Sequence, residues 1–398
     1  MRCKINRDKI KPFMSFGKMP IANGFLSKKN FKKEFFYEME VGFSKKLSLF
    51  QLNSHPKPKQ MFNKDYPFFT GSSKGMTRHF HSYANWIKKN YGKGLEKLLE
   101  IGSNDGTFLE NFRKDNIEVM GIEPSKNVAD VAKKKGIKTI NKFFNFENVK
   151  NLKDLKNKIN IISAANVICH VPDLSSLIKG VKHLLDEDGL FIFEEPYLGS
   201  MYKKTSYDQI YDEHIFMFSV TSIKKIFSLF SFKLINVIPQ TTHGGSMRYV
   251  ISKNTKRKIH PRVSKYLAME KRKNIDTLKG CMTFKKNCEK SKKELRSKIS
   301  KLKKQNKKIA GYAATSKSTT ILNYCDIGLE SIDYICDTTK EKIGKYSPGK
   351  HIPIKPVDYF HKNPPDVAFL FAWNHKKEIL KKEKKFSKHG KWIAHVKL

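Results

Sequence analysis

Lys97-Leu-Leu-Glu-Ile-Gly-Ser-Asn-Asp-Gly106 is the stretch on which the fold turns. A short apolar run ends on a glycine, a second glycine follows inside a polar turn, and the amphipathic stretch Thr107 to Lys114 comes next. This reads as strand, tight turn and helix start. Working outward, Glu118 to Glu123 is a second strand ending on a carboxylate and Lys126 to Lys135 a helix. Asn160 to Ala165 is a strand, Leu174 to Leu185 a helix and Gly189 to Glu194 a further strand. Strands alternating with helices of this length predict a parallel sheet covered on both faces. Phe232 to Ile238 and Ser246 to Ser252, joined through His243-Gly-Gly245, predict an antiparallel hairpin closing that sheet.

A second βα series follows in Lys308 to Ala313, the helix start Thr315 to Thr320, Ser331 to Asp337 and Asp366 to Trp373. Two doubly wound α/β units are therefore expected, which suits 398 residues, too long for one ordinary domain. The expected division is a small irregular N-terminal module at 1–80, a ligand-binding α/β domain at 81–252, a basic helical connector at 253–307 and a second α/β domain at 308–398.

Composition excludes some classes. No apolar run reaches the roughly 18 to 20 residues of a membrane span, and Met1 to Gly24 lacks the apolar stretch of a signal peptide. The six cysteines lie far apart and do not form a disulfide framework, so a reducing, cytoplasmic setting is expected. The net charge of +42 invites a nucleic-acid reading, but only nine of the 79 basic residues are arginine, the residue that bidentate phosphate and base recognition favours. No membrane and no specific nucleic acid is expected as a partner.

Glu100 to Gly106 occupies the position of a ligand-binding turn in an open α/β sheet. Glu123 ends the next strand, where its carboxylate can accept hydrogen bonds from a ribose diol. The spacing G-x-x-x-G leaves no pyrophosphate cradle of the dinucleotide type, whereas Asp105 suits the cationic end of S-adenosylmethionine. Asn166 and His170 follow the strand at Asn160 to Ala165 and face the same crevice, and Asp173 can cap the helix after them. Tyr211-Asp-Glu-His214 supplies a phenol, two carboxylates and an imidazole, enough for a general base and a group that orients it. A solvated turn is the alternative reading of that segment.

At LLEIGSNDGTFL (98–109), ANVICHVPDLSSLIKGVKHLLDEDGLFIFEEPYL (165–198) and YDQIYDEHIFMFS (207–219) the chain resembles the nucleotide-sugar C-methyltransferases. The resemblance continues through THGGSMRYV (242–250), GYAATSKSTTILNYC (311–325), YSPGKHIPI (346–354) and AWNHKKEIL (372–380), so it covers nearly the whole chain. It implies a class I, Rossmann-like S-adenosylmethionine methyltransferase domain followed by a second Rossmann-like domain that helps hold a nucleotide sugar. Carried over, it makes Gly102, Asn104, Asp105, Gly106, Glu123 and Asn166 the cofactor site and His214 the base, with Tyr211 and Glu213 beside it. His170, His243, Arg248, Tyr312, Ser316, Lys317 and Asn323 become the sugar contacts. The implied reaction takes a proton from C3 of a nucleoside-diphosphate 4-keto-deoxysugar and methylates the enolate. The alternatives are a methyltransferase for another keto or hydroxyl acceptor, and a nucleic-acid binder working through the Lys-rich connector.

Several positions depart from the family pattern. Its N-terminal zinc module uses two Cys-x-x-Cys pairs, whose places here are held by Cys3, Asn6, Ser44 and Leu47, so no zinc is expected. Tyr66 or the position of Phe68 answers to a family tyrosine near the sugar. Gly-Tyr-Gly-Ala has become Gly311-Tyr-Ala-Ala314, which adds a methyl beside the expected nucleotide. Asp212 replaces a frequent histidine and is expected to raise the pKa of His214.

Overall fold

The computed structural model describes residues 1–57 and 68–398, so Tyr66 lies outside the described residues. Its central sheet has seven strands in the spatial order Lys233–Gln240, Ser246–Ser252, Leu185–Pro196, Ile159–Ala165, Lys97–Ile101, Glu118–Ile122 and Lys138–Ile140. In chain order this is 6-7-5-4-1-2-3, parallel except for the hairpin strand Ser246–Ser252, which runs antiparallel to both neighbours. Alternation along each strand feeds two apolar layers. Leu99, Ile162, Phe191 and Phe193 pack with the helices Leu174–Leu184 and Val220–Ser228. Leu98, Ile161, Leu190 and Ile192 instead pack with Phe80, Tyr83, Ala84 and Ile87 of the helix Lys74–Tyr91. That helix covers the sheet, so the boundary expected between residues 80 and 81 cuts through it.

The stretch after Gly106 is not the helix expected from Thr107 to Lys114 but a short 3₁₀ turn at Leu109–Phe112. The Asn111 side-chain amide donates to the carbonyls of Thr107 and Phe108, the positions from which a continuing helix would propagate. A smaller parallel sheet forms the C-terminal domain, ordered Ile354–Pro356, Ile335–Asp337, Ile309–Tyr312, Val367–Leu370 and Lys391–Ile393. The N-terminal module is more regular than its sequence suggests. Lys11–Pro20, Phe36–Ser44 and Leu49–Leu52 pair antiparallel, and Phe216–Met217 from the central α/β domain adds a fourth strand.

The basic connector forms two helices, Pro261–Arg272 and Leu278–Lys304. Cys281, Phe284, Cys288, Leu295 and Ile299 recur at helical spacing along the second and are buried against the N-terminal sheet and the C-terminal domain. Most of its lysines therefore form the solvent face of a structural helix.

Ala313, at the glycine position of the Gly-Tyr-Gly-Ala block, has φ +72°. An L-residue there carries roughly 1–2 kcal/mol of strain. Ala313→Gly is expected to raise the unfolding midpoint by a few degrees, read by thermal denaturation. An unchanged or lower midpoint contradicts the strain.

Candidate active site

The loops after the strands Lys97–Ile101, Glu118–Ile122 and Ile159–Ala165 open onto a cavity of about 1480 Å³. Single-ligand pockets run roughly 300–1,000 Å³, so this volume takes two ligands side by side. Its lining falls into two halves by chain origin: Gly102, Asn104, Glu123 and Asn166 come from the loops after those strands, and Tyr211, Glu213, His214, His243, Ser316 and Lys317 from later segments, with His170 stacked on His214.

The first half is shaped by backbone that turns left-handed at three points. Gly102 has φ +67°, and a Cβ there would lie 2.5 Å from Val167 Cγ2. Asn104 and Asn166, at φ +49° and +56°, are of the side-chain type that tolerates this region. Glu123 closes its strand, with its carboxylate accepting from the N–H groups of Asn104 (3.0 Å) and Ser125 (2.8 Å). Burial pushes its pKa up, and those bonds oppose the rise. Glu100, also on the wall, is pushed well above the carboxylate range by burial and by its acidic neighbours Glu123 and Asp105. Asn166 Oδ1 and Ser103 Oγ are buried with no hydrogen-bond partner among the described residues. Unpaired polar atoms on a cavity wall, beside acidic groups and without a phosphate cradle, fit S-adenosylmethionine, with Glu123 placed for its ribose and Asn166 for a donor group. Gly102→Ala is expected to weaken S-adenosylmethionine binding at least tenfold in isothermal titration. Unchanged affinity would show that the turn does not shape the site.

Two of the expected cofactor residues lie behind this wall. Asp105 Oδ2 accepts the N–H of Gly71 at 2.8 Å and its Oδ1 accepts the Thr107 hydroxyl at 2.6 Å. Asn104 Oδ1 likewise takes the Thr70 N–H at 2.9 Å, so the turn is tied to the segment Thr70–Ser72. Gly106, at φ +76°, faces Ile137 and Ala132. Both residues shape the loop without lining the cavity.

The second half is built around His214. Its Nδ1 lies 2.7 Å from the Gln209 carbonyl, which can only accept, so Nδ1 carries the proton and Nε2 is bare. The Tyr211 hydroxyl donates to that Nε2 at 2.8 Å. Burial, with His170 nearby, holds the His214 pKa well below the usual imidazole value. Asp212 therefore does not raise it. Its carboxylate turns away to accept the Ala22 N–H at 3.1 Å, and burial beside Glu213 pushes it up to about 8. His170 stacks on His214 with centroids 5.2 Å apart, and burial lowers it to about 4. His243 is lowered to about 3, mainly by burial. The cavity thus presents neutral imidazoles at neutral pH. Ligand atoms of Cys169, His170 and His214 lie within 4.8 Å of one another, but both His214 nitrogens are already engaged.

Lys317 sits one residue inside the helix Ser316–Tyr324, whose start is capped by Thr315 Oγ1 accepting from Ser318 N–H. It is buried, lies 5.2 Å over the Trp373 ring and reaches Asn374 Oδ1 at 3.4 Å. Burial lowers its pKa. Trp373 is fixed in turn by donating to Asp208 at 2.7 Å.

Three expected sugar contacts lie elsewhere. Arg248 donates to the buried Glu194 at 2.7 Å and lies over the rings of Tyr83 (3.9 Å) and Trp86 (4.5 Å), which makes it part of the packing under the sheet. Tyr312 donates to Glu383 at 2.7 Å. Asn323 donates to the carbonyls of Thr319 and Pro348. None of the three lines the cavity. Conversely, Asn23 lines it unanticipated, donating to Glu213 at 2.6 Å across 190 residues of sequence. Lys342 joins it too, donating to the Ala314 carbonyl at 2.8 Å, with its pKa lowered by burial. Asn23→Ala is expected to lower kcat by about tenfold or more with S-adenosylmethionine affinity unchanged, since it frees Glu213 beside the base. An unaltered kcat would leave Asn23 a purely structural residue.

Comparison with known proteins agrees with this layout. Family descriptions match in series: "Putative zinc binding domain" at 3–62, "Methyltransferase domain" at 74–237 and "C-methyltransferase C-terminal domain" at 241–396. C-methyltransferase NovU of Streptomyces niveus is 28% identical over 380 residues, spanning 95% of this chain and 90% of that protein. The ubiquinone biosynthesis O-methyltransferase of Pasteurella multocida (strain Pm70) is 28% identical over 109 residues, 25% of this chain and 45% of that one. Among solved structures, the PH0226 protein of Pyrococcus horikoshii OT3 is 14% identical with a TM-score of 0.38, covering 50% of this chain and 99% of that one. Magnesium protoporphyrin IX methyltransferase from Synechocystis PCC 6803 is 15% identical with a TM-score of 0.35, covering 45% and 83%. The three matches in this order, with a relative aligned over nearly the whole length of both proteins, make the chain an S-adenosylmethionine-dependent methyltransferase with the domain layout of the C-methyltransferases.

Proposed function

We propose that the chain methylates a ring carbon, C3, of a nucleoside-diphosphate 4-keto-deoxysugar through an enolate. The observation that carries this reading is His214, whose Nε2 is unprotonated, buried and set on the same cavity as the cofactor turn. A ring carbon becomes nucleophilic only on losing its proton, and a neighbouring ketone makes that feasible by spreading the charge. His214 Nε2 takes the C3 proton, and the C–H electron pair moves into a C3–C4 double bond and the ketone oxygen. The Tyr211 hydroxyl, displaced from Nε2 by the substrate, is left to donate to that oxygen, a role worth roughly 2.7–4 kcal/mol for one such donor. Gly102, Glu123 and Asn166 would hold S-adenosylmethionine, which would supply the electrophilic methyl that C3 takes from its sulfonium sulfur. Lys317 and Lys342 place positive charge where a diphosphate lies, and His243 and Ser316 flank it. Incubation with carbon-13-methyl-labelled S-adenosylmethionine and a TDP-4-keto-6-deoxysugar, followed by NMR, is expected to show label on C3. Label on oxygen, or none in the sugar, rejects the reading.

The N-terminal module is proposed to fold without zinc, because its would-be ligands do not fit a metal. Cys3 and Leu47 are buried in one apolar cluster with Ile10 and Leu49. Asn6 is turned to Asp8 at 2.8 Å, and Ser44 Oγ accepts the Leu47 N–H at 3.3 Å. One thiol among four positions cannot make a tetrahedral site. Elemental analysis of the purified protein is expected to find no stoichiometric zinc, with the same melting temperature in chelator. Bound zinc at one per chain contradicts this.

A further inference from the structure

A second cavity, of about 790 Å³, shares no lining residue with the first. It lies between the helix Leu198–Lys204, the strand end at Pro239 and the two connector helices. Five cations line it, Lys203, Arg262, Lys265, Lys273 and Lys279, and no carboxylate does. Arg262 is fixed by donating to the Val237 carbonyl at 3.2 Å. The four lysines have no ion-pair partner among the described residues, whereas Lys285 and Lys290, on the helix that carries Lys279, pair with Glu289 and Glu294. The interior is not polar. Tyr202 and Phe284 stack at 4.7 Å and 9° to form one wall, with Tyr266 and Met269 beside them. Asn274, Thr283 and Asn287 add neutral hydrogen-bonding groups.

An aromatic wall, amide and hydroxyl groups and a ring of unpaired lysines fit a flat ring, a polar linker and a polyphosphate in one molecule. We propose that this cavity is a second binding site, for a nucleoside polyphosphate, separate from the methyl-transfer centre. Its volume lies within the single-ligand range, which suits one nucleotide better than a continuous strand. Three of its four lysines, Lys265, Lys273 and Lys279, come from the basic connector.

ADP titrated calorimetrically into the full chain saturated with S-adenosylmethionine is the probe. One-site binding is expected, at least tenfold weaker in Lys265→Glu/Lys273→Glu and unchanged in Lys317→Ala, which alters only the methyl-transfer cavity. Lys203→Glu/Lys279→Glu, from the same lining, is expected to give the same loss. All four lysines are exposed, so unchanged melting temperatures are expected for both pairs. Inorganic pyrophosphate, which lacks the ring, is expected to bind at least tenfold more weakly than ADP. The site is overturned if ADP does not bind at millimolar concentration, or if its binding is lost in Lys317→Ala and kept in the two lysine pairs. Equal affinity for pyrophosphate and ADP, or tight binding of a 20-nucleotide RNA with none of ADP, overturns it as well.

Discussion

His214→Ala is expected to lower methyl transfer by about 10²- to 10⁴-fold while leaving S-adenosylmethionine affinity unchanged. The first half follows from the tautomer: with Nδ1–H committed to the Gln209 carbonyl, Nε2 is the one ring nitrogen able to receive a proton. The second follows from its contacts, because His214 bonds Gln209 and Tyr211 and stacks on His170, not on the turn residues Gly102, Glu123 and Asn166. Hydrogen–deuterium exchange at C3 of a 4-keto sugar in D2O isolates the proton-transfer step. Exchange persisting in the variant at the wild-type rate removes His214 from the role of base. The same environment sets the pH response. Burial lowers the imidazole pKa, so the base stays neutral down to below pH 6.5, and the acid limb of kcat/KM is expected beneath that value. A limb above 6.5 would mean that a different group controls the rate.

Glu270→Ala is expected to cost about 3 to 5 kcal/mol of stability, the largest structural loss of any single change considered for this chain. Glu270, on the first connector helix, is fully buried. Its carboxylate accepts from the Tyr197 hydroxyl (2.7 Å), the N–H groups of Val220 (2.7 Å) and Thr221 (2.8 Å) and the Thr221 hydroxyl (2.6 Å). These donors include the first N–H groups of the helix Val220–Ser228, so the carboxylate serves as its capping anion from a distant part of the sequence. Removing it strands all four donors in a dry interior. Urea unfolding measures the loss, and a change below about 1 kcal/mol would mean that water replaces the carboxylate.

Glu270 also shows where the sequence is hard to read. It is one of four acids in a connector dominated by lysine, and nothing local distinguishes it from an exposed helix residue. The central strands are legible because Leu98 and Leu99, or Ile161 and Ile162, must each satisfy an apolar layer, which forces uninterrupted apolar runs between turn residues. The N-terminal strand Lys11–Pro20 holds Pro12, Gly17 and Pro20 and pairs with register shifts, so its period is broken while its partner strand still holds it. Glu123 follows from its spacing after Gly102, His214 from the residue types beside it, and Lys317 only from the resemblance of its segment. Asn23 does not, since its role depends on a partner 190 residues away. Arg248 misleads for the opposite reason. A lone arginine on a hairpin beside a crevice suggests an anion ligand, but Glu194 and two aromatic rings already occupy its guanidinium.

The turn at Ala22 and Asn23 grips both of the other domains. Ala22 N–H binds Asp212, its carbonyl accepts the Thr319 hydroxyl at 2.8 Å, and Asn23 holds Glu213. One dipeptide therefore joins three domains beside the Tyr211–His214 segment. For anyone building chimaeras among such enzymes, the unit of exchange is not the module but the module together with the residues it grips in the other two domains. Grafting a metal-bearing relative's first domain onto this chain is expected to succeed only when that turn and its three partners travel together.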